Sequence, residues 1–148
     1  MSQPANAPRP EQGTHATSPP AAGASGAQAS GLSPGDSMVV HTRARELLAW
    51  LLPQVVKWPR EQRHIVSRHV AELAMQVHDA LVAARHLPPP ARAAVLRDAD
   101  ILLDQLRQHL QLAWQWQWLS NGQFQHVSGL TGELGRLIGG WRKSGPTV

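Results

Sequence analysis

The sequence predicts an all-α fold, an antiparallel four-helix bundle behind an N-terminal tail. Three observations lead there. Apolar residues recur at steps of three and four in four successive segments after Ser37. Prolines and a capping-box signature separate those segments. An alternating, strand-like pattern occurs only in the short "WQWQW" at residues 114–118. A length of 148 residues allows at most one domain of ordinary size.

Residues 1–37 are mostly Pro, Ala, Gly, Ser and Gln, with Leu32 as the one large aliphatic side chain after Met1. Such a segment cannot bury enough apolar surface to offset about 1–2 kcal/mol of backbone entropy per ordered residue, so a disordered tail is expected. It has neither the basic start nor the apolar run of a signal peptide. Residues 38–148 are read as the bundle.

The first helix is expected from about Met38 to Lys57, with Asp36 or Ser37 as its N-cap. Its seam is Ala44, Leu47, Leu48, Leu51, Val55 and Trp58, and Pro53 should kink it by removing the hydrogen bond to the Ala49 carbonyl. "KWPREQR" breaks the chain at Pro59 and opens a second helix that reaches about His86 through Val66, Val70, Leu73, Val77, Leu81 and Ala84. The prolines at 88–90 stop that helix and suit the first turn of a third, which runs to Leu119 through Val95, Ala99, Leu102, Leu106, Leu110 and Ala113. Two helices of similar length, about 40 Å each, joined by a short loop read as an antiparallel pair. Ser120 with Gln123 forms a capping box for the fourth helix, and Leu119 with Phe124 a hydrophobic staple. Its seam is Val127, Leu130, Leu134, Leu137 or Ile138, and Trp141.

The last helix also holds Gly132, Gly135 and Gly139, which at about 100° per residue gather on an arc away from the seam, with Arg136 and Lys143 beside them. Each interior glycine costs a helix about 1 kcal/mol relative to alanine, so the stripe needs a reason. Two readings stand: close approach of a neighbouring helix in the same bundle, or close approach of another subunit or a nucleic-acid backbone. On a continuous helix Trp114 and Trp118 would share a face while Trp116 points away, which makes Trp116 a candidate partner contact.

The tail carries a net charge of −1, and residues 38–148 carry 13 Lys and Arg against 8 Asp and Glu, a net of +5. Eleven of these cations are Arg, the side chain better suited to bidentate phosphate contact. Lys57, Arg60 and Arg63 crowd the junction of the first two helices with Arg68 just beyond, and Arg136, Arg142 and Lys143 sit near the C-terminus. A helix N-terminus among cations suits an anion, so these seven are the candidate nucleic-acid-binding residues; a solvated charged face is the plain alternative.

Other chemistry is poorly supported. There is no cysteine, and none of the eight histidines lies three or four residues from another, so no metal site or cofactor is expected. Asp100 and Asp104 are flanked by Arg97 and Arg107 and read as a surface charge ladder. "GRLIGG" lacks the lysine and the preceding strand of a phosphate-binding loop. No catalytic residue is predicted. With no cysteine and no uncharged apolar run of about 20 residues, a cytoplasmic protein without a membrane span is expected.

"KWPREQR" before a long amphipathic helix, and "LSNGQFQHVSGLTGELGRLIGGW" at the end, resemble the four-helix-bundle accessory proteins of diversity-generating retroelements. These are the accessory variability determinants, with relatives encoded in intervening sequences of bacterial ribosomal RNA genes. The resemblance covers about residues 43–143. Its most specific elements are Glu133-Leu134-Gly135-Arg136-Leu137 and Gly139-Gly140-Trp141; the family's aromatic-Pro-basic turn falls on Trp58, Pro59 and Arg60. The long tail, "WQWQW" and Phe124, where the family often has Tyr, depart from the pattern. The resemblance implies a basic homo-oligomer, a pentameric barrel, that binds a reverse transcriptase and structured RNA or an RNA/DNA hybrid without catalysis. Trp116, Gly132, Gly135, Gly139 and Trp141 become the expected partner or subunit contacts. The alternative is a protein-interaction bundle of the ribosomal type with no nucleic-acid role.

Overall fold

The computed structural model describes residues 34–144. Most of the predicted disordered tail, residues 1–33, lies outside the described residues. Four α-helices account for most of the described chain: α1 Pro34–Val55, α2 Arg68–Ala84, α3 Pro89–Gln115 and α4 Asn121–Lys143. Helix α1 starts earlier than predicted, with proline in its first turn, so Asp36 and Ser37 lie inside the helix instead of capping it. Pro53 lies in its last turn, so the bond that it denies the Ala49 carbonyl is lost close to the helix end. The chain then tightens: the Lys57 and Trp58 backbone N–H groups donate to the Gln54 and Val55 carbonyls at 3.0 and 3.2 Å.

The predicted second helix divides into three parts. A 3-10 turn at Arg60–Gln62 leads into a π-helical turn at Arg63–Ser67, and only then into α2. Thus α2 proper is about 25 Å long against about 40 Å for α3, and the irregular turns make up the difference. Helix α3 ends at Gln115, short of the predicted Leu119. The backbone N–H of Trp118 donates to the Ala113 carbonyl and that of Gln117 to the Trp114 carbonyl, both at 2.9 Å. This is a Schellman motif, with Gln117 at φ 65° in the position usually given to glycine. The capping box of α4 is formed as predicted. Ser120 Oγ accepts from the Gln123 backbone at 3.1 Å, and Gln123 Oε1 accepts from the Ser120 backbone at 2.9 Å.

Each helix packs on its sequence neighbours, and α1 also packs on α4, which closes the bundle. At one end the His41 ring nitrogens of α1 lie 2.8 and 2.9 Å from the Ser37 and Leu81 carbonyl oxygens, the second on α2. Trp141 of α4 meets the His41 ring edge to face at 5.6 Å. At the other end Gln123 Nε2 donates to Gln54 Oε1 at 3.4 Å. Midway, Arg43 Nε donates to Glu133 at 2.8 Å, binding α1 to α4. The Glu133 hydrogen bond and charge, then those of Glu46, raise the Arg43 pKa above its usual value.

The core contains the predicted Leu47, Leu51, Leu81, Leu106, Leu110 and Leu134, all fully buried. Each contributes about 1.5–3 kcal/mol of transfer free energy. Helix α3 buries Ala99, Leu106, Leu110 and Ala113 as predicted but differs from its predicted seam at two positions. Leu96 and Leu103 fill the core, while Val95 and Leu102 pack at its margin. A helix held between two neighbours has adjacent apolar residues at the boundary of its buried arc, and periodicity cannot choose between them. In α4 the same choice falls on Ile138 over Leu137. Thr131 enters the core beside Leu130 because its hydroxyl donates back to the Val127 carbonyl at 3.0 Å.

Candidate nucleic-acid and partner interface

The bundle brings the C-terminal ends of α1 and α3 together with the turns before α2 and the start of α4. Trp58 is 5% exposed here and anchors the cluster. Lys57 and Arg60 flank it in the chain and Arg63 lines a cleft with it; all three are exposed, and none forms an ion pair among the described residues. Arg68 differs: its Nε donates to Glu72 at 3.0 Å, so much of its charge is matched locally. Two apolar side chains, Val56 and Ile65, stand 76% and 63% exposed beside these cations. The π-helical turn produces this placement, since it adds a residue to the turn that carries Arg63 and Ile65.

Two clefts open at this end. One, about 260 Å³, is lined by Val55, Val56, Trp58, Ser67 and Ala71 together with Arg63 and Arg68. Trp58 Nε1 and Ser67 Oγ are both buried without a hydrogen-bond partner among the described residues. The other, about 370 Å³, is lined by Gln62, Trp116 and Trp118. The Schellman turn alters the expected arrangement of the tryptophans, because Trp118 leaves the helix. It packs on Trp58 at 5.5 Å between ring centroids and on Trp116 at 4.9 Å. Trp114 stacks on Phe124 at 4.7 Å and 8°, and its Nε1–H donates to Asn121 Oδ1. Trp116 stays 49% exposed.

The seven candidate cations do not form one site. Arg136, Arg142 and Lys143 lie toward the far end of α4, about 35 Å long, where α1 and α3 begin. Arg142 pairs with Asp100 across helices at 3.2 Å, and among the described residues no ion pair joins Asp100 to Arg97 or Asp104 to Arg107. The expected charge ladder along α3 is therefore replaced at Asp100 by a bridge to α4. Trp141 is 6% exposed, packed against His41 with the Arg92 guanidinium 5.9 Å from its ring centre. It is a core residue, and the structure removes it from the expected surface contacts.

The glycines of α4 can be judged by what a side chain would meet. A Cβ on Gly129 or Gly139 meets nothing within 4 Å; on Gly132 it meets only Arg136 Nη1 at 3.7 Å, and on Gly135 only Leu103 Cδ2 at 3.6 Å. All are ordinary or open distances. Alanine would fit at each of these positions against the described residues, so close packing inside the bundle does not require glycine there, although Gly135 does face Leu103 of α3.

Among the described residues no group of three or more His, Cys, Asp or Glu could hold a metal ion, and no helix is long and apolar enough to cross a membrane. His69 and His109 come together, ring centres 4.8 Å apart, but as an isolated pair. No curated protein and no solved structure matches the chain. A family model described as bAvd-like matches residues 38–145, nearly all of the bundle and including both halves of the sequence resemblance. The chain belongs to the bAvd-like family, a family of accessory proteins.

Proposed function

We propose that this chain is a non-catalytic accessory subunit of a diversity-generating retroelement. It binds the reverse transcriptase and structured template RNA, or an RNA/DNA hybrid, to support mutagenic cDNA synthesis in the cytoplasm. The observation that carries this reading is the trio Lys57, Arg60 and Arg63, free of acidic partners among the described residues and set beside exposed Val56 and Ile65. Cations that are not internally neutralised can release counterions from a phosphate backbone, and an adjoining apolar patch suits a protein surface. Family membership gives this combination its biological setting.

The working form in this reading is a homo-oligomer, a pentamer by the family resemblance. Glycines that the bundle does not need, along α4, supply a smooth face for the neighbouring subunit. Repetition of a basic end around a ring would let several weak phosphate contacts act together.

The test is Arg60→Glu combined with Arg63→Glu, both side chains exposed and without ion-pair partners among the described residues. Helicity should be unchanged. Binding to structured RNA and to the reverse transcriptase should weaken, with the salt slope of RNA binding reduced by about 2 if each Arg meets one phosphate. Unaltered RNA and polymerase binding would remove this end of the bundle from the interface. Retention of polymerase binding with no RNA affinity in the unmodified protein would favour the protein-interaction alternative.

A further inference from the structure

We propose that Trp116 and Trp118 form a stacking platform for unpaired nucleobases, with Lys57, Arg60 and Arg63 holding the flanking phosphates. This rests on the nucleic-acid reading of the same end of the bundle and makes the ligand at these rings more specific: an unpaired segment flanking or looping out of the paired parts of the bound nucleic acid.

The platform is built from the core outward. Trp58 is sealed in the bundle, Trp118 packs on it with centroids 5.5 Å apart, and Trp116 packs on Trp118 at 4.9 Å, the last ring half exposed. Rotations of about 45° between successive rings step the series toward solvent. The Schellman turn holds Trp116 and Trp118 on adjacent sides of Gln117, so the outer ring is positioned before any ligand arrives. Neighbouring Trp114 is already occupied by Phe124 and Asn121 and leaves Trp116 as the available ring.

Gln62 lines the same cleft as the two tryptophans and lies between Arg60 and Arg63 in the chain, while Lys57 adjoins Trp58. Rings and cations without an ion-pair partner among the described residues therefore share one end of the bundle. Stacking on an aromatic side chain combined with a cationic track is the usual physical basis of single-strand binding. In a duplex the base faces are already stacked on each other, so Trp116 could not reach them. The charge beside the rings is what selects a nucleic acid over an apolar protein segment as the occupant.

The experiment measures binding of the full-length protein, by fluorescence anisotropy, to three probes of equal length: an oligoadenylate of about 12 nucleotides, the same strand paired with oligouridylate, and an abasic strand. Unmodified protein should prefer the oligoadenylate to both others. Trp116→Ala should weaken oligoadenylate binding by about ten-fold, leave the other two unchanged, and be largely rescued by Trp116→Phe. Equal affinity for the abasic strand, or an unaffected Trp116→Ala, would overturn the platform and assign Trp116 to a protein contact. If Trp116→Ala is silent while Arg60→Glu with Arg63→Glu abolishes binding, the nucleic-acid reading survives without the platform. If no probe binds unmodified protein, both fail.

Discussion

Replacing Gly132 and Gly139 together by alanine separates the stability of the bundle from its assembly. Both glycines lie in the interior of α4, where glycine costs about 1 kcal/mol relative to alanine. The new methyl at 139 meets nothing within 4 Å, and that at 132 meets only the end of the flexible Arg136 side chain at 3.7 Å. No strain offsets the gain. The sites are two turns apart, about 10 Å, so their effects should add to about 2 kcal/mol. For a bundle of this size that is a rise in Tm of roughly 6–12 °C. Where the stripe is a subunit contact, the same methyls overpack it, at about 1–3 kcal/mol each. The double variant should therefore be more stable as a protomer and less associated.

Thermal unfolding at several protein concentrations, paired with mass by light scattering, reads both quantities. The concentration series is needed because loss of assembly alone lowers Tm by mass action. A destabilised protomer at high dilution would show that the glycines are required inside the chain and refute the packing argument. A stabilised protomer with unchanged mass would remove the stripe from the subunit interface.

The end of α3 offers a second test: Gln117 holds a φ of 65°, which costs a non-glycine residue about 1–2 kcal/mol, so Gln117→Gly should raise Tm by about 4 °C while leaving the tryptophan cluster in place. Denaturant unfolding that shows no gain would mean the turn opens in solution. Ser67 has a buried hydroxyl without a partner among the described residues, so Ser67→Ala should stabilise the fold by about 1 kcal/mol. A loss in the same assay would show that water or a ligand satisfies the hydroxyl.

The four helices and the capping box at Ser120 were legible because both depend on local chemistry, namely period, prolines and short-range hydrogen bonds. The junction cations were legible as a cluster because they are close in sequence. The division of the seven candidates was not. Arg63 and Arg136 fall at opposite ends of the bundle because antiparallel helices place late residues of α4 beside early residues of α1 and α3. Periodicity puts Trp141 in the apolar seam while the resemblance makes it a contact; the His41 ring from α1 and the Arg92 side chain from α3 pack against it, in line with the seam. The platform at Trp116 and Trp118 was hidden for another reason: continuing the helical period past Gln115 puts Trp118 on the face of Trp114, and the αL turn at Gln117 undoes that.

What the sequence determined by itself is the all-α class, the four segments and their apolar faces, the net positive charge and the family resemblance. These follow from periodicity and composition, which are properties of neighbouring residues. Tertiary structure alone decided which of two adjacent apolar residues enters the core, as with Leu103 over Leu102, and which charges find partners, as with Arg142 on Asp100. It also showed that alanine would fit at Gly129, Gly132, Gly135 and Gly139, and that one end joins an exposed tryptophan to cations without ion-pair partners among the described residues. Those outcomes depend on distances between residues far apart in the chain, and such distances are set only when the helices pack.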